Sequence, residues 1–262
     1  MQAHLSSQRS LGAAARPCGA QPRRRRGPYP AAASPGSAYH TRSVDGVQER
    51  TLGITALLAD QEVQDSLLEG WSDRTATLAL GSGFFAVEND GTAWWQDIPH
   101  SLSNKCIGRQ KSLPPVEYVA LGPGESYFVQ FVDGHQQWWA DEGLDDLTEA
   151  LHSYSESVKL LAFAHGGGYY ILWEDGHSQW YRLPQGLYNQ LNGRKHPCVE
   201  FLSLGPNDEW FVRFLNGKGY VAGHSELCQE TMAKLKAKGR SVLKIMYGEG
   251  GTWAIVHEHR SK

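Results

Sequence analysis

The strongest constraint on this 262-residue chain is a dipeptide that keeps returning. Asp-Gly or Asn-Gly stands at Asp45-Gly46, Asp90-Gly91, Asp133-Gly134, Asp175-Gly176 and Asn216-Gly217. Successive glycines lie 45, 43, 42 and 41 residues apart. Such pairs suit the positive φ of a two-residue hairpin turn, so each predicts two antiparallel strands. The flanks repeat as well. Aromatic, apolar runs precede the last four pairs: Phe84–Val87, Tyr127–Val129, Tyr169–Leu172 and Trp210–Val212. Trp94-Trp95, Trp138-Trp139, Trp180-Tyr181 and the weaker Tyr220-Val221 follow them. Upstream lies a further strand ending in a Gly-rich turn, at Leu80–Gly83, Leu121–Gly124, Ala164–Gly167, Leu204–Asn207 and Tyr247–Gly250. Each unit therefore reads as a three-stranded meander, typified by Val116–Leu121, Tyr127–Val132 and His135–Ala140.

Short helices are expected between the meanders. Leu144, Leu147 and Leu151 share one helical face, as do Leu183, Leu187 and Leu191. Ile98–Arg109 and Leu183–Arg194 run in the same register, with Gly108 and Gly193 placed to end each helix in the left-handed conformation. The middle strand is apolar on both faces, which demands a layer on either side. Multi-stranded units of about 42 residues match the blades of a propeller. The last unit stops after a second strand through Val256, and Asp45–Leu52 reads as a third strand with nothing before it. The expectation is a mostly β, five-bladed β-propeller, closed by pairing these N- and C-terminal half-repeats.

Charge divides the chain at the same place. The first 44 residues hold seven arginines and no acid, so residues 45–262 carry 18 basic and 28 acidic groups, or −10. Residues 1–44, rich in Ala, Ser, Pro and Arg, cannot bury enough apolar surface to fold. They read as a disordered basic tail or an organelle transit segment, ahead of a propeller domain at 45–262. The acidic domain is a poor match for nucleic acid. No apolar run is long enough for a membrane-spanning helix. Four cysteines without a Cys-x-x-Cys pair fit a reducing compartment, so an intracellular, cytoplasmic or nuclear monomer is expected, with an organelle as the alternative.

Catalytic motifs yield little. The Gly166–Gly168 run belongs to the repeat, and no Gly-Lys-Ser/Thr follows it. No Gly-x-Ser-x-Gly elbow occurs. His257-Glu258-His259 is the densest histidine cluster and reads as a solvated tail rather than a metal site. No enzyme activity, metal or cofactor is expected. The candidate ligand-binding residues are Trp95, Trp139 and Tyr181 on the third strands, with Arg109 and Arg194 at matched loop positions. Rings repeated around a propeller suit stacking on sugars or gripping peptides. Packing between blades is the competing reading for the same rings.

The segments VEYVALGPGESYFVQFVDGHQQWW and VEFLSLGPNDEWFVRFLNG, preceded by LPQGLYNQLNGR, resemble a repeat of uncharacterised eukaryotic propeller-like proteins. The layout is distantly similar to propellers of the regulator-of-chromosome-condensation type, but it lacks their Gly-Gln-Leu-Gly after the Trp and inserts a helix. The resemblance implies an interaction module and carries over no nucleotide-exchange activity. The functional expectation is a protein-binding scaffold, with a carbohydrate-binding lectin built on the repeated tryptophans as the alternative.

Overall fold

The computed structural model describes residues 50–58, 60–71, 75–109, 114–192 and 198–260. Its strands form five three-stranded antiparallel sheets. Sheet one comprises β2 (Thr75–Leu80), β3 (Phe84–Glu88) and β4 (Ala93–Gln96). Sheet two comprises β5 (Val116–Leu121), β6 (Tyr127–Phe131) and β7 (Gln136–Trp139). Sheet three comprises β8 (Val158–Phe163), β9 (Tyr169–Trp173) and β10 (Ser178–Tyr181). Sheet four comprises β11 (Val199–Leu204), β12 (Trp210–Phe214) and β13 (Gly219–Ala222). Sheet five takes β14 (Arg240–Tyr247) and β15 (Trp253–Arg260) from the end of the chain and β1 (Arg50–Leu57) from its beginning. One helix follows each third strand: α1 (Gln61–Gly70), α2 (His100–Arg109), α3 (Asp145–Ser153), α4 (Gln185–Asn192) and α5 (Glu226–Ala237). The mostly β, propeller-like architecture read from the repeat is thus present. Residues 1–44 and the Asp45-Gly46 pair lie outside the described residues.

The recurring dipeptide works through both of its members. Gly91, Gly134, Gly176 and Gly217 have φ of 87°, 84°, 86° and 77°, a region open mainly to glycine. The preceding Asp or Asn side chain accepts the backbone N–H two residues on, from Thr92, His135, His177 and Lys218, at 2.9–3.0 Å. The loop has three residues instead of the expected two. Glu88 N–H bonds the Thr92 carbonyl across Asn89-Asp90-Gly91, and the glycine closes back onto residue 88. That is the longer hairpin type with glycine in the left-handed position.

Sheet five pairs the two ends of the described chain in register, from Arg50 opposite Arg260 to Leu57 opposite Trp253. The stretch 45–49 of the expected strand lies outside the described residues, and the described part of the N-terminal strand begins at Arg50. Its apolar run is Leu52–Leu58, and Ile54, Ala56 and Leu58 pack onto the cluster around Val63, Leu67 and Val256. The expected solvated tail at 257–259 is wrong. These residues continue β15, and His257 and Glu258 are buried. Gly108 also departs from expectation, since it lies inside α2 without a positive φ.

First strands meet first strands. β2 packs on β5, β5 on β8, β8 on β11, β11 on β14, and β14 returns to β2. Side chains fasten these seams to neighbouring backbone. Tyr118 Oη donates to the Leu161 carbonyl (2.8 Å) and accepts its N–H (3.1 Å). Ser203 Oγ donates to the Ile245 carbonyl, and Lys244 Nζ to the Ala76 carbonyl (3.4 Å). Burial holds the Tyr118 phenol up at about 12, so it remains a donor.

The seams also set the size of the residue that follows each first strand. A Cβ on Gly122 would lie 2.7 Å from the Phe163 ring, and one on Gly205 would lie 2.9 Å from Tyr247 Cβ. A Cβ on Gly248 would meet the Gly81 carbonyl at 2.6 Å. We expect Gly122→Ala and Gly248→Ala each to lower stability by about 1–3 kcal/mol in chemical denaturation. Gly108→Ala, with nothing within 4 Å, should be neutral or raise it by up to ~1 kcal/mol.

The buried His257 carries a pH signature. Burial, then the neighbouring Arg240 charge, holds its imidazole below the usual histidine range. Arg240 Nη1 stands 3.3 Å from His257 Nε2, which fits a neutral ring accepting there. The unfolded chain takes up this proton first as pH falls below about 6.5, so stability should decline there. His257→Gln should flatten the fall in melting temperature between pH 7 and 5; an unchanged profile would count against this assignment.

Candidate functional site

The turns that leave the first strands converge on a cavity of about 370 Å³. Its wall is one residue per sheet, Leu80, Leu121, Phe163, Leu204 and Tyr247, followed by the small residues Gly81, Gly122, Ala164, Gly205 and Gly248. Beneath it the space between the five first strands shrinks to about 60 Å³, filled by side chains including Leu161, Phe201 and Met246. The cavity is thus a shallow apolar mouth with a packed floor.

One short turn makes this mouth asymmetric. Sheet one joins its first two strands through Gly81–Gly83, whereas the other sheets use five residues, as in Gly122–Ser126. Across this low point the loop of sheet two reaches sheet five. Gly124 N–H donates to the Glu249 carboxylate at 3.1 Å, and Glu249 N–H donates to the Gly81 carbonyl at 2.9 Å. Asp141 supports the same loop, accepting from Glu125 N–H (2.9 Å) on one oxygen and Trp139 Nε1 (3.1 Å) on the other. Trp139, 56 % exposed, is thereby anchored at the end of the third strand, tied to the sheet-two loop but outside the lining of the mouth.

The strand registers separate the candidate rings. Trp95 pairs with Phe85, as Trp138 does with Phe128 and Trp180 with Tyr170. Trp139 pairs with Tyr127, a place held by Gln96 in sheet one, Tyr181 in sheet three and Ala222 in sheet four. Trp95 and Trp139 are therefore not equivalent, although both are second in a Trp-Trp pair. They point to opposite faces of their sheets. Trp95 is half-buried, stacked on Phe85 (centroids 5.3 Å, 1° between planes), with Nε1 donating to Ser103 Oγ (3.2 Å). Tyr181 is half-buried beside Tyr169, with the Arg182 guanidinium 4.9 Å from its ring centre. Arg109 ends α2, and Arg194 lies outside the described residues. The candidates named from sequence do not assemble into one site.

Sequence reasoning missed the mouth, and it also missed a polar seam beside it. Glu209, 6 % exposed, accepts from Asn207 N–H (2.6 Å) and Asn207 Nδ2 (3.2 Å). Cys228 opens α5 fully buried, and burial followed by the Glu209 charge pushes its thiol up to about 11. A thiol held there is not a nucleophile at neutral pH. Among the described residues, no three His, Cys, Asp or Glu side chains form a metal-binding group.

No family profile and no curated protein matches the chain. Among solved structures, one titled "Streptogramin B lyase structure" is similar at 11% identity and TM-score 0.21, over 73% of this chain and 67% of that one. At that score the likeness carries no inference about fold or activity. Among the described residues no helix is long and apolar enough to cross a membrane.

Burial separates the two tryptophans in an experiment. Trp95→Ala should cost about 3 kcal/mol in urea denaturation, as loss of a packed core aromatic does. Trp139→Ala should stay within about 0.5 kcal/mol of the parent.

Proposed function

We propose that the five sheets are the blades of a closed five-bladed β-propeller, and that this ring is a non-enzymatic, protein-binding scaffold. Closure is supported by the packing of β14 on β2 and by the Glu249–Gly81 backbone bond between sheets five and one. The observation that carries the functional reading is the exposed Trp139, tied through Asp141 to the sheet-two loop that borders an apolar mouth, with Glu249 bracing the same loop. A cavity of this size suits an apolar side chain with few polar contacts around it. An exposed, anchored indole beside it is the residue type that dominates protein interfaces. Trp139 has no tryptophan counterpart in the other sheets, which favours a single patch over a repeated sugar site.

Affinity capture from native cell extract, with parent and Trp139→Ala proteins side by side, tests this reading. A specific protein should be retained by the parent and lost with Trp139→Ala, while both melt at the same temperature. Saturable glycan binding that survives Trp139→Ala, without such a protein, overturns it.

A further inference from the structure

We propose that the mouth is occupied in the free protein by the chain's own segment Arg23–Pro30, which a binding partner must displace. This rests on the mouth being the binding site.

The site asks for an apolar group flanked by positive charge. Its walls are apolar, while the exposed carboxylates of Glu125, Asp141 and Glu249 crowd one side around Gly124. Glu249 and Asp141 accept only backbone and indole N–H bonds, and no described lysine or arginine forms an ion pair with any of the three. Arg182 on the same face gives Nη1 to the Gly166 carbonyl (3.1 Å). The segment Arg-Arg-Arg-Arg-Gly-Pro-Tyr-Pro supplies the complementary chemistry, four guanidinium groups and one aromatic ring between prolines. Guanidinium groups can engage carboxylates bidentately even when these already accept one bond. The flanking prolines reduce the conformational entropy lost on docking.

Reach permits the docking within one chain. β1 enters sheet five at Arg50, at the end remote from the mouth, because its other end, Leu57, pairs with Trp253 beside the cavity turn. Eight strand residues span about 25 Å. The 20 residues from Pro30 to Arg50 extend to about 65–70 Å, ample to pass the sheet and turn inward.

The test uses the full chain and a labelled synthetic peptide of residues 21–32, followed by fluorescence anisotropy. A variant carrying Arg23→Ser, Arg24→Ser, Arg25→Ser, Arg26→Ser and Tyr29→Ala should bind the peptide at least tenfold more tightly than the parent, whose own segment competes. Adding Glu249→Arg or Pro206→Trp to that variant should weaken binding at least tenfold while the fold is retained, loss of the single exposed Glu249–Gly124 bond lowering the melting temperature by only a few degrees. The Glu249→Arg arm stands alone if the bulkier change disturbs the fold. Equal binding by parent and variant, absence of binding, or indifference to Glu249→Arg overturns the proposal. Light scattering that finds a concentration-dependent dimer, lost in the variant, also overturns it and assigns the segment to a second copy. If the peptide fails while partner capture still depends on Trp139, the in-chain occupant falls and the scaffold reading stands.

Discussion

Everything in this fold depends on how closely one first strand can approach the next. Three-stranded sheets of this length are marginal alone and must cover both faces. They do so by stacking, and the tightest point of the stack is where each first strand ends. There the chain carries Gly81, Gly122, Ala164, Gly205 and Gly248. At four of these positions a side chain would collide with a wall residue or backbone of the neighbouring sheet, at Leu121, Phe163, Tyr247 and the Gly81 carbonyl. The same small residue that lets the sheets close together leaves a hollow above the wall side chains. The mouth is a by-product of the seam, so packing and site geometry share one cause.

Rigidity at the rim follows from the loops' different lengths. Four five-residue turns around the mouth would give a near-symmetric ring, but the three-residue turn of sheet one leaves a dip. The sheet-two loop and Glu249 bridge that dip through backbone N–H donors. Asp141 uses both oxygens to hold the loop and the Trp139 indole at once. A carboxylate satisfied in this way fixes a ring that solvent would otherwise leave free to rotate, and the fixed ring loses less entropy on contact with a partner.

The repeat was legible because its punctuation is chemically specific. Asp-Gly at a hairpin needs the side-chain acceptor and the positive φ together, and few other pairs supply both. Strand β5 was equally readable, at the bounds Val116–Leu121 that the structure shows. The helices were less so: α3 shows buried leucines at helical spacing, whereas α5 buries only Cys228 and Leu235 and gave no periodic signal. The exposure of the tryptophans was hidden by one residue. Trp94 stands three places after its hairpin glycine and Trp138 four, and a shift of one in a strand exchanges its two faces. Matching pair to pair therefore aligned a packed ring with an exposed one. The mouth left no signal of its own, because a glycine required by contact across a seam looks the same in sequence as one required by a turn.

Repetition within a single chain separates what packing demands from what it leaves open. The residue that follows each first strand is glycine or alanine in all five units, since the seam leaves little room there. The next residue is Ser82, Pro123, His165, Pro206 or Glu249, different in most units, whereas the one after it is again glycine in four of five, Asn207 being the exception. In the four five-residue turns the position follows the same small residue, so the seam does not dictate its side chain. The differences between units fall on the turns around the mouth, and on the third strands Trp139 stands where its counterparts are Gln96, Tyr181 or Ala222. A lectin built by repetition would keep such positions alike around the ring. A surface for one asymmetric partner, the reading proposed above, is free to vary each of them while the seam beneath stays uniform.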